Sequence, residues 1–527
     1  MKASMKRGLI GVLTASSLAA GLLVGIAPAH AAKGANCQVN TPTAKAQCDL
    51  ITVALVGKVV SLDPANPVKT TNPNYVTKLL MMGQLFRFDV NGVAQPDLVD
   101  TWSVSKDGLV YTLNLRKNMK YSDGVTPVTA DDAVFSYDYG QKGQPSFTAV
   151  KSVVATSPTQ VVYTLEKGFA DFPRALANIY GVINPRSKAE GKPEYWNKPL
   201  SAGPYKLKSW VPGADEIVLE ENKNYWAKVA VKQIRFLAIP DPVTRVLAMR
   251  QGTIDYAFDL PLAIGKDYLA DKKKFRAQPF QLAGTFTLDF NMKKAAGKPW
   301  SDVKVRQAMS YALDRKQFSD LAFNGNITPS CALTYPSHPN YLCVKPGGVK
   351  QDLAKAKALL AETQWKDGFD IRLSVFNRPG WGDGASVIAS QWKKIGINAT
   401  VVAEPDAVGA AGQTNGTFEV QLSGYGAPLL STGLATYMGS KGAWTVWAGS
   451  KFDDALVEEY DAALGKTAQQ AVLKKIEQLL WDESAHLMVG QRSGWGASAL
   501  PLNIFTNQRA NDQYTVLQTP ALGAKKK

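Results

Sequence analysis

Strand-like and helix-like patterns alternate along the chain, and this alternation restricts the fold more than any other feature of the sequence. Leu109, Tyr111, Leu113 and Leu115 recur at every second position, which is typical of a half-exposed strand. In contrast, the apolar residues of 305–313 lie three and four positions apart, as on one face of a helix. Because segments of both kinds follow one another, the sequence predicts an α/β layered fold.

The same patterns predict where individual elements lie. Strands are expected at 50–56, 161–165, 216–219, 233–238 and 396–402, and helices at 75–86, 352–362, 386–394 and 469–481. Thr129 and Asp132 have the spacing of a capping box, which predicts that a helix begins there. Ser301 is the expected cap of the helix within 305–313.

The first 31 residues have the three parts of a secretory signal peptide. Residues 1–7 are basic, residues 8–29 are uncharged and mostly apolar, and Ala29-His30-Ala31 is a small-x-small exit. Cleavage after Ala31 would leave 496 of the 527 residues, enough for two or three domains. An uncleaved membrane anchor is the alternative interpretation. Because the residues before Cys37 do not form a lipoprotein signal, we expect a periplasmic or secreted protein without a lipid anchor.

The chain carries 60 Lys and Arg against 44 Asp and Glu, a formal net charge of +16 that falls to +13 without the leader. A basic surface favours an anionic solute, an anionic membrane surface or nucleic acid as partner. The sequence has no dense Lys/Arg cluster interleaved with aromatic residues, and export argues against nucleic acid. We therefore expect no nucleic-acid partner.

The four cysteines predict disulfide bonds, because the expected compartment is oxidising. Cys37 lies near Cys48 in sequence, and Cys331 lies near Cys343. Three pairings are possible, and pairing of near neighbours is the simplest of them. A metal site is the alternative, but no CxxC motif or Cys/His spacing favours one.

Several motifs resemble one known family. The stretch from Asp97 to Arg116, with Trp102 and Tyr111, is followed by Tyr121-Ser-Asp-Gly and by residues 127–132. This composite resembles the bacterial extracellular solute-binding proteins of family 5, the peptide- and nickel-binding type. Further blocks occur in the family's order: 202–205 (Ala-Gly-Pro-Tyr) with 222–226, then 250–255, 290–291, 305–315 and 391–397. The resemblance covers about residues 50–510, and we interpret the motif residues as structural rather than as a binding site.

The resemblance implies a fold and a function. The fold is α/β and two-lobed, a periplasmic-binding-protein-like fold of type II, cluster C, with an extra subdomain in lobe one. Its expected bounds are 49–88, 195–285 and 491–527 for lobe one, 89–194 for the inserted subdomain and 286–490 for lobe two. Hinges are expected near residues 286 and 490. The implied function is that of a monomeric solute-binding component of an ABC importer, which captures a solute between its lobes and passes it to a membrane permease.

Two kinds of solute remain open. Peptide binders of the family use an acidic residue of lobe two to meet the peptide ammonium, but residues 418–429 hold no acid after Glu419. A short peptide is favoured by the family, and an oligosaccharide by the missing acid and by the similarity of residues 377–383 to a loop of sugar binders. The candidate ligand-binding residues, several of them aromatic and on Gly-rich stretches expected to be loops, are Asn291, Arg378, Trp381, Asp383, Tyr425, Trp444, Trp447 and Trp495.

Other functional classes lack support in the sequence. It contains no GxSxG, HExxH, P-loop or GxGxxG motif, so we expect neither an enzyme nor a cofactor. The two histidines of the mature chain, His338 and His486, are expected to be structural or surface residues rather than metal ligands. A secreted hydrolase and a chemosensory binding protein are the alternatives from other classes.

Overall fold

The computed structural model describes most of the chain between residues 37 and 499. The described residues are 37–38, 47–65, 72–89, 93–169, 171–178, 181–229, 231–260, 271, 275–334, 338, 340–345, 350–425, 430–437 and 454–499. The expected leader, Trp444 and Trp447 lie outside them. Among the helices within this part of the chain, none has the length and apolar character needed to cross a membrane.

The first described segment starts lobe one. Its elements are β1 (Cys37–Gln38), β2 (Gln47–Leu55), α1 (Asn72–Met81), β3 (Gly83–Gln84) and β4 (Phe86–Phe88). The strand expected at 50–56 is confirmed. The helix expected at 75–86 is wrong at its end, because the chain leaves the helix after Met81 and residues 83–84 pair with a strand about 100 residues later.

The next segment forms the inserted subdomain. Its elements are β5 (Ala94–Pro96), β6 (Val99–Val104), β7 (Val110–Leu115), α2 (Ala130–Ser136), a π-helical turn (Tyr137–Gln141), a 3-10 turn (Pro145–Phe147), β8 (Val150–Ser157), β9 (Gln160–Leu165), α3 (Phe172–Leu176), β10 (Val182–Ile183), α4 (Arg186–Ala189) and a 3-10 turn (Pro193–Asn197). Strands β6, β7, β9 and β8 form an antiparallel sheet in that order. The predicted capping box is confirmed, since the Thr129 backbone N–H donates to Asp132 Oδ2 at 2.9 Å.

The chain then returns to lobe one. The elements are β11 (Tyr205–Trp210), β12 (Glu216–Glu221), β13 (Val231–Ala238), α5 (Pro242–Arg250) and β14 (Tyr256–Leu260). Strand β13 runs parallel to β2, with Ile234 beside Ile51. These two residues are fully buried together with Val53, Leu219 and Phe236, so the returning strands complete the core that the first segment started.

The residues expected to form lobe two, 286–490, follow as one long segment, together with the ends of the two strands that enter and leave it. Its elements are β15 (Arg276–Phe290), 3-10 turns (Met292–Lys294 and Pro299–Ser301), α6 (Val303–Tyr311), α7 (Arg315–Phe323), β16 (Thr328–Pro329), α8 (Leu353–Ala361), β17 (Phe369–Phe376), α9 (Trp381–Lys393), β18 (Ile397–Glu404), α10 (Asp406–Asn415), β19 (Val420–Tyr425), α11 (Leu430–Tyr437), α12 (Asp454–Ala462), α13 (Lys466–Glu483) and β20 (His486–Ser498). The cap of α6 is Asp302 rather than the expected Ser301, because the Asp302 carboxylate accepts from the Lys304 backbone N–H at 2.8 Å.

Strands β15 and β20 connect the two lobes. One sheet runs through the described residues in the order β11-β12-β13-β2-β14-β20-β15-β19-β17-β18. In it β20 pairs with β14 of lobe one, and β15 pairs with β19 of lobe two. The register between β15 and β20 is interrupted between Gln281 and Thr285, opposite residues 491–493. The interruption lies close to the hinges expected near 286 and 490.

The cysteines that are near neighbours in sequence also lie opposite or beside each other in the structure. A disulfide joins Cys331 to Cys343, whose Cα atoms are 5.5 Å apart. The register of β1 and β2 places Cys37 directly opposite Cys48. The loop closed by Cys331 and Cys343 is fastened to helix α13, since Trp481 Nε1 donates to the Cys331 carbonyl at 3.1 Å.

Gly203, Tyr205 and Arg315 are motif residues expected to be structural, and they lie in tightly packed surroundings, whereas the motif residue Trp102 is 40% exposed. Tyr205 is 1% exposed, and a β-carbon at Gly203 would lie 2.7 Å from the Met81 carbonyl oxygen. Arg315 is fully buried and donates from Nε to the Met488 carbonyl at 2.8 Å, and its burial lowers the guanidinium pKa to about 10. These contacts give Gly203, Tyr205 and Arg315 a structural role.

Candidate functional site

The carboxyl ends of strands β17 and β19 form the edge of the lobe-two sheet that lies nearest to the place where β15 and β20 cross between the lobes. The parallel pairing of β17 and β19 places Val375 beside Leu422. Three residues further along each strand, Arg378 and Tyr425 therefore lie at the same level. Arg378 is just beyond the end of β17, and Tyr425 is the last residue of β19. Tyr425 is also paired with Thr285, next to the interruption in β15. Ligands of open α/β sheets bind at the carboxyl ends of the strands. This edge is therefore the candidate site.

Trp381 lies at this edge, but not in a loop as expected. It is the first residue of helix α9, and its side chain is only 6% exposed. Its ring meets Phe286 and Phe376 edge to face, with centroids 4.8 and 5.7 Å away. A ring held in this way contributes most of its surface to the lobe-two core.

Two guanidinium groups lie against the same ring. The Arg378 guanidinium carbon is 5.1 Å from the centroid of Trp381, and that of Arg492 is 5.7 Å from it. The two cationic groups are therefore within about 11 Å of each other. Both side chains are partly exposed. An aromatic ring attracts cations to its face, so Trp381 holds two positive charges at the edge of the sheet.

Gly424 makes room for one of these arginines. Arg492 comes from β20 and crosses the backbone of β19 at Gly424, where a β-carbon would lie 3.1 Å from both Arg492 Cδ and Nη1. A larger side chain at position 424 would therefore push against the guanidinium group. The sequence analysis missed Arg492, although it is the one charged residue of the apolar and small-residue stretch 487–498, which could have drawn attention to it.

Asn291 lies at the opposite edge of the sheet from the candidate site. It follows Phe290, which pairs with Val420. That pair lies five residues, or roughly 16 Å, along the strands from the pair that Tyr425 forms. Its side-chain nitrogen donates to the carbonyls of Gly416 and Phe418 at 2.9 and 2.8 Å, and the residue is 1% exposed. This amide fastens the loop before β19.

The structure places the remaining candidates less completely. Asp383 is exposed on the first turn of α9, one turn from Arg378 and Trp381. Tyr425 and Trp495 have defined positions in β19 and β20, and Trp495 is paired with Pro279 and Leu260. The structure brings together Arg378, Trp381 and Tyr425 at one edge, and it does not describe the surroundings of Trp444 and Trp447.

A second polar cluster lies inside lobe two, away from this edge. Asp289 accepts a hydrogen bond from Ser423, and His486 Nδ1 lies 2.5 Å from Asp289 Oδ1. All three residues are at most 4% exposed. In a hydrolytic triad the imidazole stands between the hydroxyl and the carboxylate, whereas here the carboxylate stands between the other two. The order of the three groups therefore differs from that of a hydrolytic triad, and their contacts tie strands β15, β19 and β20 together.

His338 is also buried, at 5% exposure. Burial, together with the positive charge of Arg174, lowers the pKa of His338 well below its usual value. Within the residues that the structure describes, no three His, Cys, Asp or Glu side chains come close enough to hold a metal ion. The expectation that both histidines are structural agrees with their burial.

Comparison with known proteins identifies the family. The sequence model of the bacterial extracellular solute-binding proteins, family 5, matches residues 93–444. The chain is 28% identical to the periplasmic oligopeptide-binding protein OppA of Salmonella typhimurium, over 89% of this chain and 92% of OppA. It is 27% identical to the glutathione-binding protein GsiB of Salmonella paratyphi A, over 82% and 87% of the two chains.

A solved structure agrees with the fold. The binding protein AgaA of Agrobacterium tumefaciens R10, in complex with agropinic acid, superposes with a TM-score of 0.70 at 24% identity and covers 90% of this chain and 98% of AgaA. Its two-lobed periplasmic-binding-protein fold is the fold expected from the sequence. The chain belongs to the bacterial extracellular solute-binding proteins of family 5, and it is the solute-binding component of an ABC importer.

Proposed function

We propose that this protein captures a small solute that carries a carboxylate, such as a short peptide, and that Arg378 and Arg492 bind that carboxylate. The observation that supports this most directly is that the guanidinium groups of Arg378 and Arg492 both lie over the ring of Trp381, at the carboxyl ends of the strands. Arginine binds carboxylates through two parallel hydrogen bonds, and a second cation nearby strengthens the attraction. The net charge of +16 favours an anionic solute in the same sense.

The names of the relatives fit this class of solute. Oligopeptides and glutathione, which the names of two relatives mention, both carry carboxylates. The agropinic acid bound by AgaA is an acid as well. A neutral oligosaccharide has no carboxylate to offer, and the ring of Trp381 that would stack on a sugar is 6% exposed. These points favour the peptide-like solute over the oligosaccharide.

Calorimetry on residues 32–527 tests the proposal. The probes are tripeptides with a free carboxylate, the same tripeptides as carboxy-terminal amides, and α- and β-linked oligosaccharides. We expect the free acids to bind and the amides to bind at least about tenfold more weakly, because a hydrogen bond to a charged group contributes about 1.5–3 kcal/mol. Binding of oligosaccharides alone, or equal binding of acids and amides, would overturn the proposal.

A pair of variants locates the site. Arg378→Gln and Arg492→Gln should each weaken binding of the free acids by about tenfold or more and leave the affinity for amides nearly unchanged. Arg235→Gln is the matched control, since Arg235 forms its ion pair with Glu216 on lobe one. If the control weakens binding as much as the site variants, the two guanidinium groups are not the carboxylate site.

We also propose that the protein works outside the cytoplasm as an unanchored, non-catalytic monomer that delivers its solute to a membrane permease. The leader-like residues 1–31 and the disulfide between Cys331 and Cys343 support an exported chain. The register of Cys37 and Cys48 supports a second disulfide. Intact-mass analysis of the exported protein tests this: a chain that begins after Ala31, with four oxidised cysteines and no added lipid, is expected.

A further inference from the structure

The inserted subdomain and lobe two touch each other at a place outside the candidate site. Phe169 and Phe172 belong to the core of the subdomain, whereas Leu430 and Tyr460 belong to a core of lobe two. Gly168 lies against the end of α12, and Asp171 lies against the start of α11. Two bodies with separate cores therefore meet here.

A hydrogen bond crosses this boundary. The backbone N–H of Ser431 donates to Asp171 Oδ2 at 3.1 Å, and the Ser431 hydroxyl donates to the same oxygen at 3.4 Å. Asp171 and Ser431 are each 2% exposed, so water does not compete for the bond in this conformation. Arg174 Nε lies 3.8 Å from Asp171 Oδ1 and compensates part of the buried negative charge. The Asp171 side chain makes no hydrogen bond to helix α3, which it precedes.

The backbones pack closely beside this bond. A β-carbon at Gly168 would lie 2.8 Å from Ala462 Cα and 3.0 Å from the Asp461 carbonyl oxygen. A β-carbon at Gly108 would lie 3.1 Å from the side chain of Leu464. The inserted subdomain and lobe two are thus in van der Waals contact at Gly168, and a larger side chain would not fit there.

Each half of the contact is held by its own body. On the lobe-two side, the disulfide-closed loop is tied to the helices, since Asn340 Nδ2 donates to Tyr460 Oη at 3.0 Å and to Gln469 Oε1 at 2.6 Å. On the subdomain side, Arg174 lies over Phe88, with its guanidinium carbon 5.1 Å from the ring centroid. The two surfaces would keep their shapes if the bodies moved apart.

We propose that Asp171 and Ser431 form a closure contact, which joins the inserted subdomain to lobe two when the lobes close over a solute and which slows the solute's release. Among the described residues, the contact contains a hydrogen bond between buried polar groups, and the apolar residues on its two sides belong to separate cores. A permanent interface would instead share apolar core residues. In the open protein the Asp171 carboxylate and the Ser431 N–H would each bind water instead. The proposal rests on the solute-binding role of the family and does not depend on the identity of the solute.

Cysteine trapping tests whether the contact forms and breaks in solution. The double variant Asp171→Cys with Ser431→Cys is treated with a short bis-maleimide, and intact mass distinguishes one bridging linker from two linkers attached singly. We expect bridging in this variant and single attachment in the control, Asp131→Cys with Ser431→Cys, because Asp131 pairs with Arg186 within the subdomain. Single attachment in both variants would overturn the proposal.

The radius of gyration shows whether the trapped contact is the closed state. In small-angle X-ray scattering the bridged protein should be smaller than the same protein before bridging, since bridging removes the open conformations. Equal radii would mean that the interface is permanent and would overturn the proposal.

A bulky substitution at the contact, here called the wedge variant, gives an independent test. Gly168→Leu places a side chain where the bodies meet, so it should prevent bridging and keep the radius of gyration at or above that of the unbridged protein, with little change in Tm. Val154→Trp is the control, because Val154 is an exposed residue of the same subdomain. A lower Tm of the wedge variant with undiminished bridging would contradict a contact between moving bodies. The loss of carboxylate binding in the site variants has no bearing on these outcomes, so the two proposals can fail separately.

Discussion

The guanidinium carbon of Arg378 lies 5.1 Å from the centroid of the Trp381 ring, in a turn where the Trp381 backbone N–H also donates to the Arg378 carbonyl at 3.0 Å. The aromatic residue is buried and the cation is partly exposed, so the ring acts as a support for the charge. A solute carboxylate would therefore meet arginine first, with tryptophan behind it.

Two substitutions of Trp381 separate support from direct stacking. Trp381→Phe keeps an aromatic face for both guanidinium groups, and we expect the affinity for tripeptides to change by less than about threefold. Trp381→Leu removes that face, and we expect a loss of about tenfold, since each cation–π contact contributes about 0.5–2 kcal/mol. Calorimetry measures both affinities. A loss of oligosaccharide binding with unchanged peptide binding would contradict this role and restore the sugar-stacking hypothesis.

The sequence predicted the elements whose signals are local. The alternation of residues 109–115 and the pair Thr129 and Asp132 correspond to β7 and to the start of α2, because strand periodicity and capping depend on neighbours in sequence. The helix within 305–313 was also predicted, although its cap is one residue further along.

The errors arise where distant contacts decide the structure. Trp381 was expected in a loop because glycine surrounds it, but the contact of its ring with Phe286, 95 residues earlier, places it at the start of a helix. Arg492 and Asp171 carry no local motif at all. Arg492 belongs to the site because its side chain reaches from β20 past β15 to Gly424 of β19. Asp171 meets Ser431 because the inserted subdomain and lobe two lie against each other. Sequence reasoning on one chain has no access to such pairs.

The disulfide between Cys331 and Cys343 should stabilise lobe two. It closes a loop with a sequence separation of 12, for which loop-closure entropy predicts about 3 kcal/mol. We expect the double variant Cys331→Ser with Cys343→Ser to unfold at a Tm several degrees below wild type. Differential scanning calorimetry measures the shift, and reduction of the wild-type protein should lower the Tm at least as much, since it also opens the proposed second disulfide. A variant as stable as wild type would show that the hydrogen bonds of the loop, such as that from Trp481, hold it without the disulfide.

Glu477 should make the stability of lobe two depend on pH. The carboxyl group is fully buried on α13 and accepts from the Leu333 backbone N–H at 3.1 Å, and burial raises its pKa to about 8. The folded protein then holds a proton that the unfolded chain has released, so stability falls as the pH rises from about 4.5 to about 8. We expect Glu477→Gln to show a smaller fall in Tm between pH 5 and pH 8.

The exposed acid Glu459 provides the control for that prediction. It lies on the neighbouring helix α12 and forms an ion pair with Lys475 at 2.6 Å. Glu459→Gln should keep the pH dependence of the wild-type protein, since a group in water has no burial cost to lose. If both variants lose the same part of the pH dependence, the effect comes from the general charge of lobe two rather than from Glu477.

Asp461 should make the contact between the subdomain and lobe two stronger in acid. It is 7% exposed beside Ser431, and burial raises its pKa to about 6 despite the hydrogen bond from Ser431. The charged groups that face it are Asp171 and Lys167 of the subdomain and Glu458 of its own helix. A carboxyl group with a raised pKa binds its proton more tightly in the contact than in water, so the contact gains stability as the pH falls from above 6 towards 4.

Asp461→Asn removes the charge and keeps the shape, so it should remove this pH dependence. A shift of about two pKa units corresponds to at most about 3 kcal/mol, which the wild-type contact lacks at pH 7.5 and recovers near pH 4. In small-angle scattering we expect the wild-type protein to become more compact from pH 7.5 to pH 5, and the variant to be as compact at pH 7.5 as wild type is at pH 5. Glu459→Gln, an exposed change on the same helix, should behave like wild type. Parallel curves for wild type and Asp461→Asn would show that Asp461 does not control the contact, because the proton that closure takes up would then be bound elsewhere.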